Sequence, residues 1–194
     1  MDHVLESKLV VGISGRSGAG KDTLADILVA EHGFVKLTVA GPLKEVVARV
    51  FGLTHDQLHG AAKNVADPFW HVSPREILQK VGTDLFRDKF SECFPEIGRD
   101  LWVLVLRKAL CDCPGNRIVV SDIRYQNELA TLGPHAFSVR IVRDSDACRL
   151  PGTAAVHASE ALDFHVDRTV ENDGSLEELR VEAAKLVEDI RGPR

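Results

Sequence analysis

An apolar run, Leu9-Val10-Val11-Gly12-Ile13, empties into a glycine-rich turn, and the turn opens onto Gly20-Lys21-Asp22-Thr23. No other stretch constrains the chain as much. It reads as a buried strand, a tight loop and a helix beginning near Gly20 or Lys21. Gly15 and the Gly20-Lys21 pair have the spacing of a P-loop, with Arg16, Gly18 and Ala19 between them. Glycine suits such a loop because a chain without Cβ atoms can wrap closely enough to aim successive N–H groups at phosphate oxygens. The helix start adds the positive end of its dipole, and Lys21 adds a mobile cation. The Ser or Thr expected directly after the lysine is Asp22 here, with Thr23 one position later. Either oxygen suits Mg²⁺, so both are candidates. The alternative is an ordinary glycine-rich turn between a strand and a helix.

The chain has 194 residues, which suits one α/β domain with room for an inserted helical lobe. Hydrophobic residues make up 44% of it, enough for a large core, yet no apolar run reaches the roughly 18 residues that cross a bilayer. Met1 to Lys8 is short and acidic and does not read as a signal peptide. Cys93, Cys111, Cys113 and Cys148 lack metal or redox spacing, so reduced cytosolic thiols are expected. The net charge of −5 excludes a global nucleic-acid footprint. Phosphate binding must come from local cations.

Downstream, Leu24, Ile27 and Leu28 form one helical stripe that ends at Gly33, and Phe34 to Val39 reads as a second strand. Pro42 opens another helix that runs to about Phe51, and residues 52–72 read mostly as loop. Ser73-Pro74-Arg75-Glu76 is a helix start with a capping serine, proline at the first position and glutamate at the third. At 100° per residue, Ile77, Leu78, Val81 and Leu85 share one face, and Arg75, Gln79, Gly82 and Thr83 the other. The second face has room for a ligand against the glycine; otherwise it is a solvated outer face. A helix is expected over about 100–111.

Arg117 to Asp122 is a buried-type strand ending in a carboxylate. Beside the first strand, that Asp122 points at a metal–phosphate site or caps the next helix, or does both. Arg124 follows at once. A strand over Phe137 to Val142 brings Arg143 to its carboxyl end, the edge where open parallel sheets collect ligands. Residues 144–165, with Arg149, His157 and Glu160, are polar and aperiodic, as lids are. A last strand over 167–171 and a terminal helix to about Ile190 close the chain. The expected fold is a three-layer α/β/α sandwich with a five-stranded parallel sheet and right-handed crossovers. Its core is 1–40 and 114–194, and its inserted helical lobe is 41–113.

Five stretches carry a family resemblance: Gly15-x4-Gly20-Lys21-Asp22-Thr23; Ala40-Gly41-Pro42-Leu43-Lys44; Arg75-x-x-Leu78-Gln79-x-x-Gly82-Thr83-Asp84; Ser121-Asp122-x-Arg124-x-x-Asn127-Glu128; and Asn172-Asp173-Gly174-Ser175-Leu176-Glu177-Glu178-Leu179. Together they resemble bacteriophage-type deoxynucleoside monophosphate kinases of the P-loop NMP-kinase group. Asp after the P-loop lysine is itself a feature of that family. The resemblance implies transfer of the ATP γ-phosphoryl group to a deoxynucleoside 5′-monophosphate in the cytoplasm, or in a host's cytoplasm if the gene is a phage's. ATP phosphates would lie on Lys21 and the loop amides, and Mg²⁺ near Asp22 or Thr23 and Asp122. The acceptor would meet Lys44, Arg75 and Arg124, with Gln79 reading a base edge, Gly82-Thr83 allowing close approach and Trp102 stacking on the base or serving the core. Arg143 would reach the transferring group, and Asn172 would lie near the adenine. The implied partners are these small molecules, without nucleic acid or membrane; a homodimer is left open. Kinases of dephospho-coenzyme A or phosphomevalonate, and a nucleotide-hydrolysing switch, are the competing readings.

Overall fold

The computed structural model describes residues 2–143 and 164–191, and the chain divides into two compact units. The first is Met1–Val39 with Leu106–Arg194, the second Ala40–Val105.

The first unit holds α1 (Asp2–Glu6), β1 (Leu9–Ser14), α2 (Lys21–His32), β2 (Val35–Thr38), β3 (Arg117–Ile123), α8 (Gln126–Ala130), β4 (Phe137–Val142), β5 (Arg168–Glu171) and α9 (Leu176–Arg191). All strand pairs are parallel, in the order β2-β3-β1-β4-β5. Side chains of a strand alternate between faces, so each central strand feeds two cores. Val11 and Ile13 of β1, Val119 of β3 and Val139 and Ile141 of β4 pack with Leu24 and Leu28 of α2 and Leu179 and Leu186 of α9. Val10, Ile118 and Val120 point the other way, onto Leu5, Leu106, Leu110 and Leu132. The result is the three-layer α/β/α arrangement expected from the sequence. Because β1 lies between β3 and β4, the loops leaving all three strands meet at one carboxyl edge, where ligands of such sheets bind.

The second unit holds α3 (Gly41–Phe51), α4 (His55–His59), a 3₁₀ turn (Ala61–Asn64), α5 (Pro74–Gln79), a π-helical segment (Lys80–Lys89), α6 (Phe90–Cys93) and the start of α7 (Leu101–Asp112). Its core is Val47, Leu53, Leu58, Ile77 and Leu78. The stretch read as loop over 52–72 thus contains a capped helix: Thr54 and Gln57 form a capping box around the start of α4. The unit ends at Val105 rather than near 113, because Leu106 and Leu110 of α7, and Cys113 just after it, belong to the sheet's core.

The helix opening at Ser73 begins as the sequence predicts, with Ser73 accepting from the Glu76 amide at 3.3 Å. From Lys80 it widens into a π-helix, whose i→i+5 bonds break the 100° spacing. Two assignments change as a result. Leu85, placed on the apolar face by the wheel, is 50% exposed. Gly82, placed on the open face, is buried, and a Cβ there would meet Leu43 Cδ2 at 2.6 Å.

Candidate active site

The glycine-rich loop lies between β1 and α2. Gly15, Gly18 and Gly20 stand at φ 153°, 86° and 103°, values that side chains rarely adopt. Gly15 also needs the space: a Cβ would meet the Ile141 carbonyl oxygen at 2.5 Å. Ala19 is fully buried under the loop, whereas Arg16 and Gly18 are exposed. Lys21, the first residue of α2, folds back and donates to the carbonyls of Gly15 at 2.9 Å and Arg16 at 2.8 Å. A cation resting on its own loop's carbonyls has exchangeable partners and is poised for an anion.

Asp22 and Thr23 are exposed on the first turn of α2. The Asp22 carboxylate takes the Lys36 ammonium of β2 at 2.9 Å and the Ser121 hydroxyl of β3 at 3.3 Å. Burial raises its affinity for a proton, but the Lys36 hydrogen bond and charge, then Ser121 and Lys21, outweigh that and hold it below the ordinary 3.8. Lys36 is shared with Asp26, also at 2.9 Å. Burial pushes this ammonium down, yet its two carboxylates carry it above 10.5. Sequence reasoning passed over Lys36. The signal was a lysine alternating with apolar residues in a short strand beside the P-loop.

At the end of β3, Asp122 and Arg124 pair: the guanidinium donates to Asp122 Oδ1 through Nε at 3.2 Å and Nη2 at 3.1 Å. Arg143, just past β4, donates through Nε to the backbone carbonyl of Asn172 at 2.8 Å. Asn172 itself is 6% exposed, and its side-chain amide donates to the Ala19 carbonyl at 2.8 Å. The residue expected beside the adenine is therefore a brace beneath the loop. Lys21, Asp22, Asp122, Arg124, Arg143 and Asn172 all belong to the first unit.

The remaining predicted residues lie in the second unit. Arg75 and Gln79 are exposed on α5, and Thr83 is half-buried. Lys44 of α3 lies 3.3 Å from His59 Nδ1. Trp102 is 9% exposed, packs edge-on against Phe86 with ring centroids 5.5 Å apart, and donates its indole N–H to the Gly82 carbonyl at 2.9 Å. Of the two roles weighed for it, the core one is visible. Gly82 likewise faces Leu43 and Trp102, so its small size serves packing. Arg149, His157 and Glu160 lie outside the described residues.

No family model matches the chain. A curated protein of Acanthamoeba polyphaga mimivirus, provisionally named deoxynucleotide monophosphate kinase, is 34% identical over 127 residues. The match takes in 62% of this chain and 66% of the viral protein, just under two thirds of its length. The resemblance read from the motifs holds. Among solved structures, TT1252 from Thermus thermophilus aligns with 95% of this chain and 99% of its own, at a TM-score of 0.52 and 15% identity. That likeness is one of fold. A dephospho-CoA kinase from Campylobacter jejuni aligns over 95% and 98% at a TM-score of 0.49 and 14% identity. No helix among the described residues is long and apolar enough to cross a membrane.

Proposed function

We propose that the protein is a cytoplasmic kinase that transfers the γ-phosphoryl group of ATP to a deoxynucleoside 5′-monophosphate. An acceptor phosphate oxygen attacks the γ-phosphorus, the bond to the β–γ bridging oxygen breaks, and ADP leaves beside the new diphosphate. The observation that carries this reading is the P-loop, with its three positive-φ glycines and Lys21 held on loop carbonyls. The 34% identity to the mimivirus protein, whose name specifies a deoxynucleotide monophosphate, supports the substrate class.

Phosphoryl transfer asks a protein for positioning and charge neutralisation rather than covalent help. Lys21 exchanges its loop carbonyls for phosphate oxygens, and Arg143 offers its remaining guanidinium N–H groups to the transferring group. Arg124 binds acceptor phosphate with the N–H groups that its pairing with Asp122 leaves over. Within the second unit, Lys44 and Arg75 are the cations suited to a phosphate. Gln79, exposed beside Arg75, reads the base through its amide.

The donor set fits Mg²⁺. Asp22, Thr23 and Asp122 offer only hard oxygen ligands, and Mg²⁺ at kinase sites takes one or two carboxylates plus phosphates and water. Ser121 donates to Asp22 and directly precedes Asp122, so the first turn of α2 and the end of β3, which bear the two carboxylates, are joined by a hydrogen bond. When bound, the ion neutralises charge on the β- and γ-phosphate oxygens.

The test is a coupled assay with ATP and each of dTMP, dGMP, dCMP and dAMP, their ribo counterparts, dephospho-coenzyme A and phosphomevalonate. One ADP formed per deoxynucleoside diphosphate, with little turnover of the last two acceptors, supports the proposal. ATP hydrolysis independent of any acceptor overturns it.

A further inference from the structure

The turn after β3 is built around a buried carboxylate to which the reaction above gives no role. Against β1, the register of β3 passes from Gly12 opposite Val120 to Ser14 opposite Ile123. Three steps on β3 match two on β1, which is a bulge, a device that re-aims side chains next to functional sites. Inside it Asp122 adopts φ 75°, a left-handed conformation uncommon for a residue with a side chain. Such a conformation lasts only where the surroundings over-determine it.

Glu128 supplies part of that determination. It is 2% exposed, and its Oε2 accepts from the backbone N–H of Arg124 at 2.8 Å and of Tyr125 at 3.2 Å. The carboxylate thus grips the chain on the exit side of Asp122, at the residue whose guanidinium pairs with Asp122. An exposed glutamate would cap α8 as well. Burying a carboxylate carries a desolvation cost, which hydrogen bonds such as those from the Arg124 and Tyr125 amides offset, and the turn they close becomes rigid. A rigid turn presents Arg124 and Asp122 already oriented, so less freedom is lost when a phosphate binds.

We infer that Glu128 is a positioning residue that acts through the Asp122–Arg124 pair and sets the affinity for the acceptor rather than for ATP. The inference rests on the proposed role of Arg124 as an acceptor ligand. The test uses the full chain with ATP and dTMP. Glu128→Gln keeps a carbonyl acceptor for both amides, so it should stay within about 3-fold of the wild type. Glu128→Met loses the acceptor and Glu128→Asp withdraws it, so kcat/KM for dTMP should fall about 10-fold or more while the KM for ATP holds within about 2-fold. In an Arg124→Ala background, Glu128→Met should add almost nothing, as expected of residues acting in one unit. An equal loss toward ATP and dTMP, or a full further loss in that background, overturns the inference. Should Glu128→Met not fold, the Asp and Gln variants decide alone. Amide hydrogen exchange at Arg124 and Tyr125 gives an activity-independent readout. It should be slow in the wild type and faster in Glu128→Asp; unchanged exchange refutes the positioning role even if no acceptor is turned over. Faster exchange together with absent turnover would instead fault the kinase reading.

Discussion

Asn172, just past β5, reaches beneath the glycine-rich loop and donates its side-chain amide to the Ala19 carbonyl, 153 positions away in the chain. The same residue closes a second contact with its backbone, where its carbonyl accepts from Arg143. Its amide nitrogen also occupies the space that a Cβ on Gly20 would need, which is one reason that position is glycine. One buried side chain therefore ties the loop to the far side of the sheet, and its backbone holds Arg143.

Asn172→Ala leaves the Ala19 carbonyl without this donor, a loss of about 1–3 kcal/mol for a buried acceptor. Part of that should appear as stability and part as a KM for ATP raised about 10-fold, with the KM for the acceptor little changed. Asn172→Asp should be worse than alanine, because it sets a carboxylate against a carbonyl. Steady-state kinetics and thermal unfolding check both variants. An aspartate variant equal to the wild type would mean that the amide is not the donor.

Lys21→Met should lower kcat/KM for ATP by about 10²-fold or more while the melting temperature shifts little, since the contacts the lysine makes with Gly15 and Arg16 lie at a partly open surface. Calorimetry and the coupled assay, run on one preparation, decide it. A variant within about 3-fold of the wild type removes Lys21 from the mechanism.

The Asp22–Lys36–Asp26 group gives stability a pH signature. Asp22 is held below its ordinary 3.8, so its contribution is full above that value and fades as pH falls through the lowered folded-state value. Lys36 is held above 10.5, so its contribution is full below that value and fades as pH rises through the raised one. The difference in melting temperature between wild type and Lys36→Met should be flat from about pH 5 to 9 and shrink at both ends. The stability behind that difference should also be small, under about 1 kcal/mol, because the carboxylates are largely exposed and screened. Asp22→Asn should lose mainly the acid limb, since Asp26 still holds Lys36 at alkaline pH. A difference that grows toward low pH would contradict the pairing.

The sheet was legible in the sequence because buried parallel strands are short apolar runs, and the loops after them carry the chemistry. Leu9–Ser14, Arg117–Ile123 and Phe137–Val142 all fall within a residue of where those runs end. The glycines and lysine of the loop were legible for the same reason, since their spacing is local. What escaped depends on partners in other elements: Asn172 takes its role from Ala19 and Lys36 from Asp22, and the contact with Gly82 brings out the core one of the two roles weighed for Trp102. The helix opening at Ser73 escaped in part for another reason: a wheel drawn at 100° assumes a helical period that Lys80–Lys89 does not keep.

That lost period makes its own prediction. Gly82 is a mid-helix glycine, and replacing such a residue by alanine ordinarily stabilises a helix by about 1 kcal/mol. Here the new Cβ would come within 2.6 Å of Leu43 Cδ2, too close for the leucine to stay where it is. Overpacking of this kind costs about 1–3 kcal/mol, moderated by the freedom of a leucine tip to turn aside. Gly82→Ala should therefore be destabilising by about 1 kcal/mol net, the reverse of its sign in an open helix. Leu43→Ala should cost about 2–5 kcal/mol alone. In that background the clash disappears, so Gly82→Ala should become neutral or stabilising. Denaturant unfolding of the two single variants and the double variant measures the coupling. Strict additivity would mean that Gly82 does not face Leu43, and the face assignment from a regular α-helix would then be restored.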